Sequence, residues 1–198
     1  MDKKTSRQYF NQQAVTWDET ERSNAPHQLA ALVERLHIPS DSLVLDVGSG
    51  TGVFVPYIQR KVGRKGRVVC VDYAFNMLLV ARSKNNNHCS NQVCAEIETA
   101  GFQPGIFDSA VCYSTFPHFH DKLHALENMF RLLSPGGSVF ICHSASRQFI
   151  NAIHQNIPDF QDHLIPAKDV MFDLLKNAGF IKITIEEGAD SYLACAQK

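Results

Sequence analysis

Glycine and histidine carry the chemistry that can be read from this chain. The run Val44-Leu45-Asp46-Val47-Gly48-Ser49-Gly50-Thr51-Gly52 leads a strand into a glycine-rich turn that opens a helix. Glycine permits the sharp turn and lets backbone groups approach a ligand closely. A second apolar run ends in an acid, Asp72. That is where a nucleotide-binding strand–helix–strand unit presents a carboxylate to ribose hydroxyls. The competing reading is an ordinary tight turn between strand and helix. A dinucleotide fingerprint, G-x-G-x-x-G, fails here: counted from Gly48, its third glycine falls on Val53, and an acid inside the strand, Asp46, is foreign to it.

The histidines gather in a few places. His118 and His120 lie in Phe116-Pro117-His118-Phe119-His120-Asp121, and His143 precedes Arg147, Asn151 and His154. The last three stand at i, i+4 and i+7, one stripe of a helix. Three readings stay open. His120, His124 and His118 are polar surface residues and the Arg147 stripe is a capped helix face; or His118 and His143 bind substrate or act as general base, a task suited to an imidazole of near-neutral pKa; or His118, His143 and His154 ligate a metal, three imidazoles being enough for an open zinc-type site. No C-x-x-C pair supports the third.

Positioning such groups requires elements, and these follow from the hydrophobic pattern. Short apolar runs at 43–47 (LVLDV), 68–72 (VVCVD), 107–113 (FDSAVCY) and 138–142 (SVFIC), with a weaker one, NQVCA, near Val93, lack polar alternation. Such runs predict strands buried on both faces, as in a parallel sheet. Helical periodicity occupies residues 26–37, 75–83 and 122–133, the last N-capped by Asp121 and ended by a stop and turn at Ser134-Pro135-Gly136-Gly137. A helix over 146–156 carries the Arg147 stripe, and one over 168–178 stops at Gly179. Two further strand-like runs, FIKITIEE and SYLACAQ, are joined so tightly that they must pair antiparallel. The expected fold is α/β: a doubly wound, mostly parallel seven-stranded sheet with a terminal antiparallel strand. Strands four and five are then neighbours, so His118 and His143 open toward one cleft at the carboxyl edge of the sheet.

These residues resemble the class I S-adenosylmethionine-dependent methyltransferases. LDVGSGTG looks like that family's first motif and VDYAFNML like its acidic ribose-binding turn; FDSAV and ENMFRLLSPGG resemble the segments around strands four and five. FNQQAVTWDE resembles the opening segment with which small-molecule members, such as quinone-biosynthesis types, cover the cofactor. The resemblance spans roughly residues 8–143 and implies a Rossmann-like methyltransferase fold with S-adenosyl-L-methionine as cofactor. It implies that Gly48, Ser49 and Gly50 pass under the methionine moiety with backbone N–H groups while Asp46 orients the turn. Asp72 would accept bonds from the ribose hydroxyls, with Tyr73 and Met77 flanking the adenine, Ala95 and Glu96 at its edge, and Tyr113 completing the cofactor contacts. The usual acid after strand three is replaced by Cys94, for which Glu96 or a backbone carbonyl substitutes. His118 and His143 would be the catalytic pair beside the sulfonium methyl, and Trp17, Phe116, Arg147, Asn151 and His154 would meet the substrate. Residues 1–25 and an insertion at 145–167 would cover the cleft within a single domain of residues 1–198.

Composition bounds these readings. With 198 residues, 44% of them apolar and 20% charged, the chain can bury roughly 70% of the surface that its unfolded form exposes, which excludes disordered and collagen-like classes. A formal charge of −1 lacks the basic footprint of a nucleic-acid binder, and no Asn-Pro-Pro-aromatic motif follows strand four, where base-modifying members of the resembled family keep it. Six cysteines without a paired framework, no signal-like start and no long apolar run lead us to expect a reduced, cytoplasmic protein without membrane insertion. The expected partner is a small-molecule acceptor. Rivals are a protein that binds S-adenosylmethionine or S-adenosylhomocysteine without catalysis, and a nicotinamide oxidoreductase, which Val53 and Asp46 disfavour.

Overall fold

Helices and strands alternate along the chain as the apolar runs require. The computed structural model describes residues 3–20, 25–84 and 91–198; Cys89 and parts of the 1–25 stretch lie outside the described residues. In chain order the elements are α1 (Lys3–Gln13), α2 (Trp17–Thr20), α3 (Pro26–Arg35), β1 (Leu43–Val47), α4 (Val55–Val62), β2 (Arg67–Asp72), α5 (Phe75–Ser83) and β3 (Asn91–Cys94). Then come β4 (Phe107–Tyr113), α6 (Lys122–Leu132), β5 (Leu133–His143), α7 (Arg147–Gln155), α8 (Lys168–Asn177), β6 (Ile181–Glu187) and β7 (Tyr192–Gln197).

The seven strands form one sheet in the order β3-β2-β1-β4-β5-β7-β6. Strands β1 to β5 pair in parallel, and β7 runs antiparallel to both β5 and β6. The antiparallel strand is therefore last in sequence but one position in from the sheet edge, which β6 occupies. Both faces are covered. Leu45, Val47, Ala110 and Cys112 pack toward α6 and α8, whereas Val44, Val111 and Tyr113 pack toward α3 and α4. Double coverage is why these strands read as unbroken apolar runs.

One expectation is corrected. Ser134-Pro135-Gly136-Gly137 is not a free turn between helix and strand: β5 starts at Leu133, directly after α6. Leu133 pairs with Phe107 and Ser138 with Ser109, so the intervening residues bulge from the ladder. The bulge is held from the far end of the chain, with the Gly136 N–H donating to the Lys198 carbonyl and the Lys198 N–H to that of Gly137. The caps follow the sequence. The Asp121 carboxylate accepts the His124 N–H at 2.9 Å, and Ser146 Oγ accepts that of Phe149 at 3.2 Å.

Strand order reverses between β1 and β4, and a cleft opens there, at the carboxyl ends of β1, β2, β4 and β5. The N-terminal segment lies over it. Asn11 on α1 brackets Asn76 on α5 with two hydrogen bonds, and Asp18 on α2 accepts from Thr51 Oγ1 and pairs with Lys84. Among the described residues no helix is long and apolar enough to cross a membrane, and the five described cysteines are free thiols.

Candidate active site

The glycine turn is built by β2. The N–H groups of Gly48 and Ser49 donate to the Val71 carbonyl at 2.7 and 3.1 Å, and that of Gly50 donates to Asp72 Oδ2 at 2.8 Å. The expectation that these N–H groups face the ligand is thereby corrected: the end of β2 consumes them to hold the loop open. Gly48 sits at φ +65°, and a Cβ there would fall 2.0 Å from Thr115 Oγ1. The loop and the turn after β4 therefore touch only because residue 48 has no side chain.

Asp72 is buried and accepts a second N–H, from Ala74, on Oδ1 at 2.7 Å. Burial pushes its carboxyl up to about 6, against the lowering effect of the Ala74 and Gly50 N–H groups. Two cavities of about 580 Å³ flank it. One runs over the loop and is lined by Gly48, Ser49, Gly50, Met77, Tyr113 and Trp17; the other reaches the turn after β3, lined by Tyr73, Ala95, Glu96, Ile97 and Glu98. Ser49 Oγ and Tyr73 Oη are buried on these walls with no hydrogen-bond partner among the described residues. Unmet hydroxyls beside a buried carboxylate fit a polar, hydroxyl-bearing ligand such as a nucleoside, and S-adenosylmethionine is one.

Beside the turn after β3, Glu96 is held by Arg7 at 2.5 Å, and the same guanidinium lies over the Tyr73 ring at 5.6 Å. Cys94 turns its thiol to the Tyr73 carbonyl, 3.8 Å away. Glu98 lines the cavity although it is only 7% exposed. The sequence reading missed it because nothing in its spacing distinguishes it from a surface acid. Asp46 is buried inside β1, paired in register with Cys70 and Val111. Tyr113 stacks on Phe54 with ring centroids 4.5 Å apart and shares a 2.7 Å hydrogen bond with Ser144.

A third cavity, about 550 Å³, is lined by Tyr9, Phe10, Trp17, Ser114, His118, His143, Ile150, Ile153, His154, Ile157 and Phe160. His118 also lines the other two, so all three cavities meet at its ring. Phe10 stands edge-on to His118 at 5.0 Å and to Trp17 at 5.4 Å, joining the N-terminal segment to the wall. His143 is 1% exposed, and neither ring nitrogen has a hydrogen-bond partner among the described residues.

Three expected substrate residues are placed elsewhere. Phe116 is fully buried in the sheet core, edge-on to Phe119 at 5.5 Å. Arg147 is spent on Glu187 of β6 at 2.9 Å. Asn151 clamps the backbone of Ile165, donating to its carbonyl at 3.0 Å and accepting its N–H at 2.8 Å. The Arg147 stripe exists, but only its last member, His154, reaches the cavity. The metal arrangement is corrected too: among the described residues no group of three or more His, Cys, Asp or Glu is set to hold an ion. Nδ1 of His154 is engaged by the His163 carbonyl, and that of His118 by His163 Nδ1. His163, on the loop after α7, was not anticipated, since a loop has no period to place it.

Burial of these imidazoles has a consequence for stability. His143 is pushed down to about 3, by burial first and then by His154, and His163 to about 4, by burial and then by the Lys122 ammonium. Between pH 6.5 and 3 the unfolded chain binds protons that these rings refuse, so stability falls as pH falls through that window. Asp72 acts in the opposite sense between about pH 6 and 4, because its raised carboxyl takes up a proton in the fold before it does so in the unfolded chain. The fully buried His143 alone withdraws about 5 kcal/mol across its window, more than Asp72 returns. Urea unfolding should show a midpoint that drops steeply below pH 6.5, with a shallower drop for His143→Phe; equal slopes would contradict it.

Comparison with known proteins agrees with this geometry. Residues 45–141 match the family model described as a methyltransferase domain. Phosphoethanolamine N-methyltransferase 1 of Zea mays is 31% identical over 175 residues, covering 84% of this chain and 33% of that protein. A ubiquinone/menaquinone biosynthesis C-methyltransferase of Edwardsiella ictaluri is 32% identical over 127 residues, 62% of this chain and 50% of that one. The chain thus spans half or less of the length of these relatives. Among solved structures, a SAM-dependent methyltransferase of Thermotoga maritima superposes with a TM-score of 0.76 at 18% identity, covering 96% of this chain and 98% of the other.

Proposed function

The chain belongs to the class I S-adenosylmethionine-dependent methyltransferases, and from that premise we propose that it methylates an uncharged small molecule held in the histidine-lined cavity. The observation that carries this reading is His118, the wall shared by the loop cavity, the adenine-side cavity and the aromatic cavity.

When bound, the cofactor supplies an electrophilic methyl, which an acceptor lone pair takes in line as the C–S electron pair stays on sulfur. The chain's residues do the rest. Asp72 accepts the ribose hydroxyls, Ser49 and Tyr73 offer their unmet hydroxyls, and Glu96 and Glu98 lie at the adenine edge in place of the acid that Cys94 lacks. The described part of the 1–25 segment and residues 145–167 cover the cleft, with Phe10, Trp17 and Phe160 excluding water from it. His118 takes the proton that the acceptor gives up, and His143 meets a polar group of the acceptor. Orientation and proton removal are the contributions this geometry suits.

Charge supports an uncharged acceptor. Among the described residues the aromatic cavity is lined by no Lys or Arg, so a phosphate like that in the name of the maize relative would find no cationic partner among them. The reduced thiols and near-zero net charge suit a cytoplasmic setting.

Two measurements test the proposal on the full chain. S-adenosylhomocysteine should raise the melting temperature and NAD should not. Methyl-labelled cofactor incubated with a small-molecule cell extract should pass label into a neutral, solvent-extractable fraction, and His118→Ala should lose that transfer while keeping the thermal shift. Thermal protection without transfer would leave a cofactor-binding protein, and label recovered only in the anionic fraction would overturn the acceptor class.

A further inference from the structure

His118 and His163 stand 45 residues apart in sequence, yet their Nδ1 atoms lie 3.0 Å apart. Two ring nitrogens at that distance share one proton, so one is donor and the other acceptor. Their surroundings differ. His163 is half-buried on the loop after α7 and lines one of the cavities, whereas His118 lines all three. With Nδ1 engaged, the nitrogen that His118 has left for a ligand is Nε2.

We propose that His163 is a positioning residue that accepts the Nδ1–H of His118 and so leaves His118 Nε2 bare toward the acceptor. This rests on the base role assigned to His118 above. A ring carrying its proton on Nε2 would instead present a donor to the cleft and could take nothing from an acceptor hydroxyl or amine. After the transfer, the proton from the acceptor resides on His118 Nε2, and the Nδ1–H···Nδ1 bond to His163 becomes charge-assisted, steadying the imidazolium.

The loop is built to hold this contact. Asn151 fixes Ile165 with two hydrogen bonds, His154 Nδ1 engages the His163 carbonyl, and Phe160 packs on the His163 ring at 4.8 Å and on the His118 ring at 5.4 Å. Both ends of the histidine loop are thus tied to α7 or the aromatic wall. The charged and titratable groups near the pair keep His163 neutral: burial lowers its pKa to about 4, with Lys122 and then His154 acting in the same direction and Asp162 opposing. Burial, then His154, His163, His143 and Lys122, lower that of His118 as well. Both rings are therefore neutral near pH 7, as a shared-proton pair requires.

The test reads the tautomer directly and needs no acceptor. Full-length protein with ¹⁵N-labelled histidine, saturated with S-adenosylhomocysteine, is examined by long-range ¹H–¹⁵N correlation, with His118 assigned through His118→Gln. The expected result is an Nδ1–H tautomer for His118. His163→Ala should shift His118 toward the ordinary Nε2–H form, and His163→Asn, whose side-chain carbonyl can accept the same proton, should restore the original. A loop that merely needed packing would not be rescued in this selective way. An Nε2–H tautomer in the unmodified protein, or a tautomer indifferent to both substitutions, overturns the proposal. If the tautomer is as expected but His118→Gln still passes label to acceptor undiminished, the base role falls and the positioning contact stands.

Discussion

Gly48→Ala should unfold at a temperature roughly 10 °C lower and lose measurable affinity for S-adenosylhomocysteine. The added Cβ would lie 2.0 Å from Thr115 Oγ1, 2.6 Å from its Cβ and 2.8 Å from its Cγ2. These are atoms of a short side chain in the turn after β4, with little freedom to move aside. Overpacking of this kind costs about 1–3 kcal/mol, and φ +65° at residue 48 adds about 1–2 kcal/mol for a side chain in the left-handed region. At roughly 2–4 °C per kcal/mol for a domain of this size, the sum sets the expected shift. Gly50→Ala is the contrasting case. Its φ is +53°, but nothing lies within 4 Å of the added Cβ, so only the dihedral cost of about 1–2 kcal/mol applies. Adding Thr115→Gly to Gly48→Ala removes all three clashing atoms and should recover the steric part of the loss. Thermal denaturation and calorimetric titration of the variants decide it; a Gly48→Ala protein that melts within 2 °C of the parent would refute the contact between the loop and the turn after β4.

Asp72→Asn should weaken S-adenosylhomocysteine binding by about a hundredfold or more while leaving stability at pH 7 nearly unchanged. The carboxylate accepts Gly50 N–H on one oxygen and Ala74 N–H on the other. An amide can accept only one of the two, and its NH₂ then faces a donor, an unmet group costing about 1–3 kcal/mol. Against that, the native carboxylate is held ionised at pH 7 against its burial, with a pKa raised to about 6, a cost of about 3 kcal/mol that the neutral amide does not carry. The two effects offset in folding. They do not offset in binding, where hydrogen bonds from ribose hydroxyls to a charged acceptor are worth about 1.5–3 kcal/mol each. The same pKa sets a pH dependence. Affinity in the parent should fall about tenfold per unit as pH drops below 6 and the carboxyl protonates, whereas the variant should be flat. Calorimetry between pH 5 and 8 would refute the assignment if the parent were flat there or the variant bound like the parent.

How far the cleft could be read beforehand varied with the kind of residue. Strand ends were legible because a parallel strand covered on both faces has a distinctive composition and its last residue sits at the sheet's carboxyl edge; Asp72, Tyr113 and His143 were placed this way. Helix stripes were half legible. Arg147, Asn151 and His154 do share a face of α7, but the first pairs with Glu187, the second clamps Ile165, and the third alone reaches the cavity. Periodicity says which residues point together and nothing about what they meet. Phe116 was misjudged for a related reason: an aromatic beside a cleft residue packs wherever apolar contact is greatest, and here that is the core under α6.

By itself the sequence determined the alternation of strands and helices, the glycine turn with its acid on the next strand, and hence the carboxyl edge of the sheet at which the cleft opens. Each follows from local patterns whose physical cause lies within a few residues, in periodic burial or in backbone angles open to glycine. Only the tertiary structure decided which polar groups share the cleft. Asp18 reaches Thr51, Glu98 enters the cavity beside the turn after β3, and His163 meets His118. Those contacts depend on where loops without a period come to rest on the sheet, and it is long-range packing that brings the rings of His118 and His163 together.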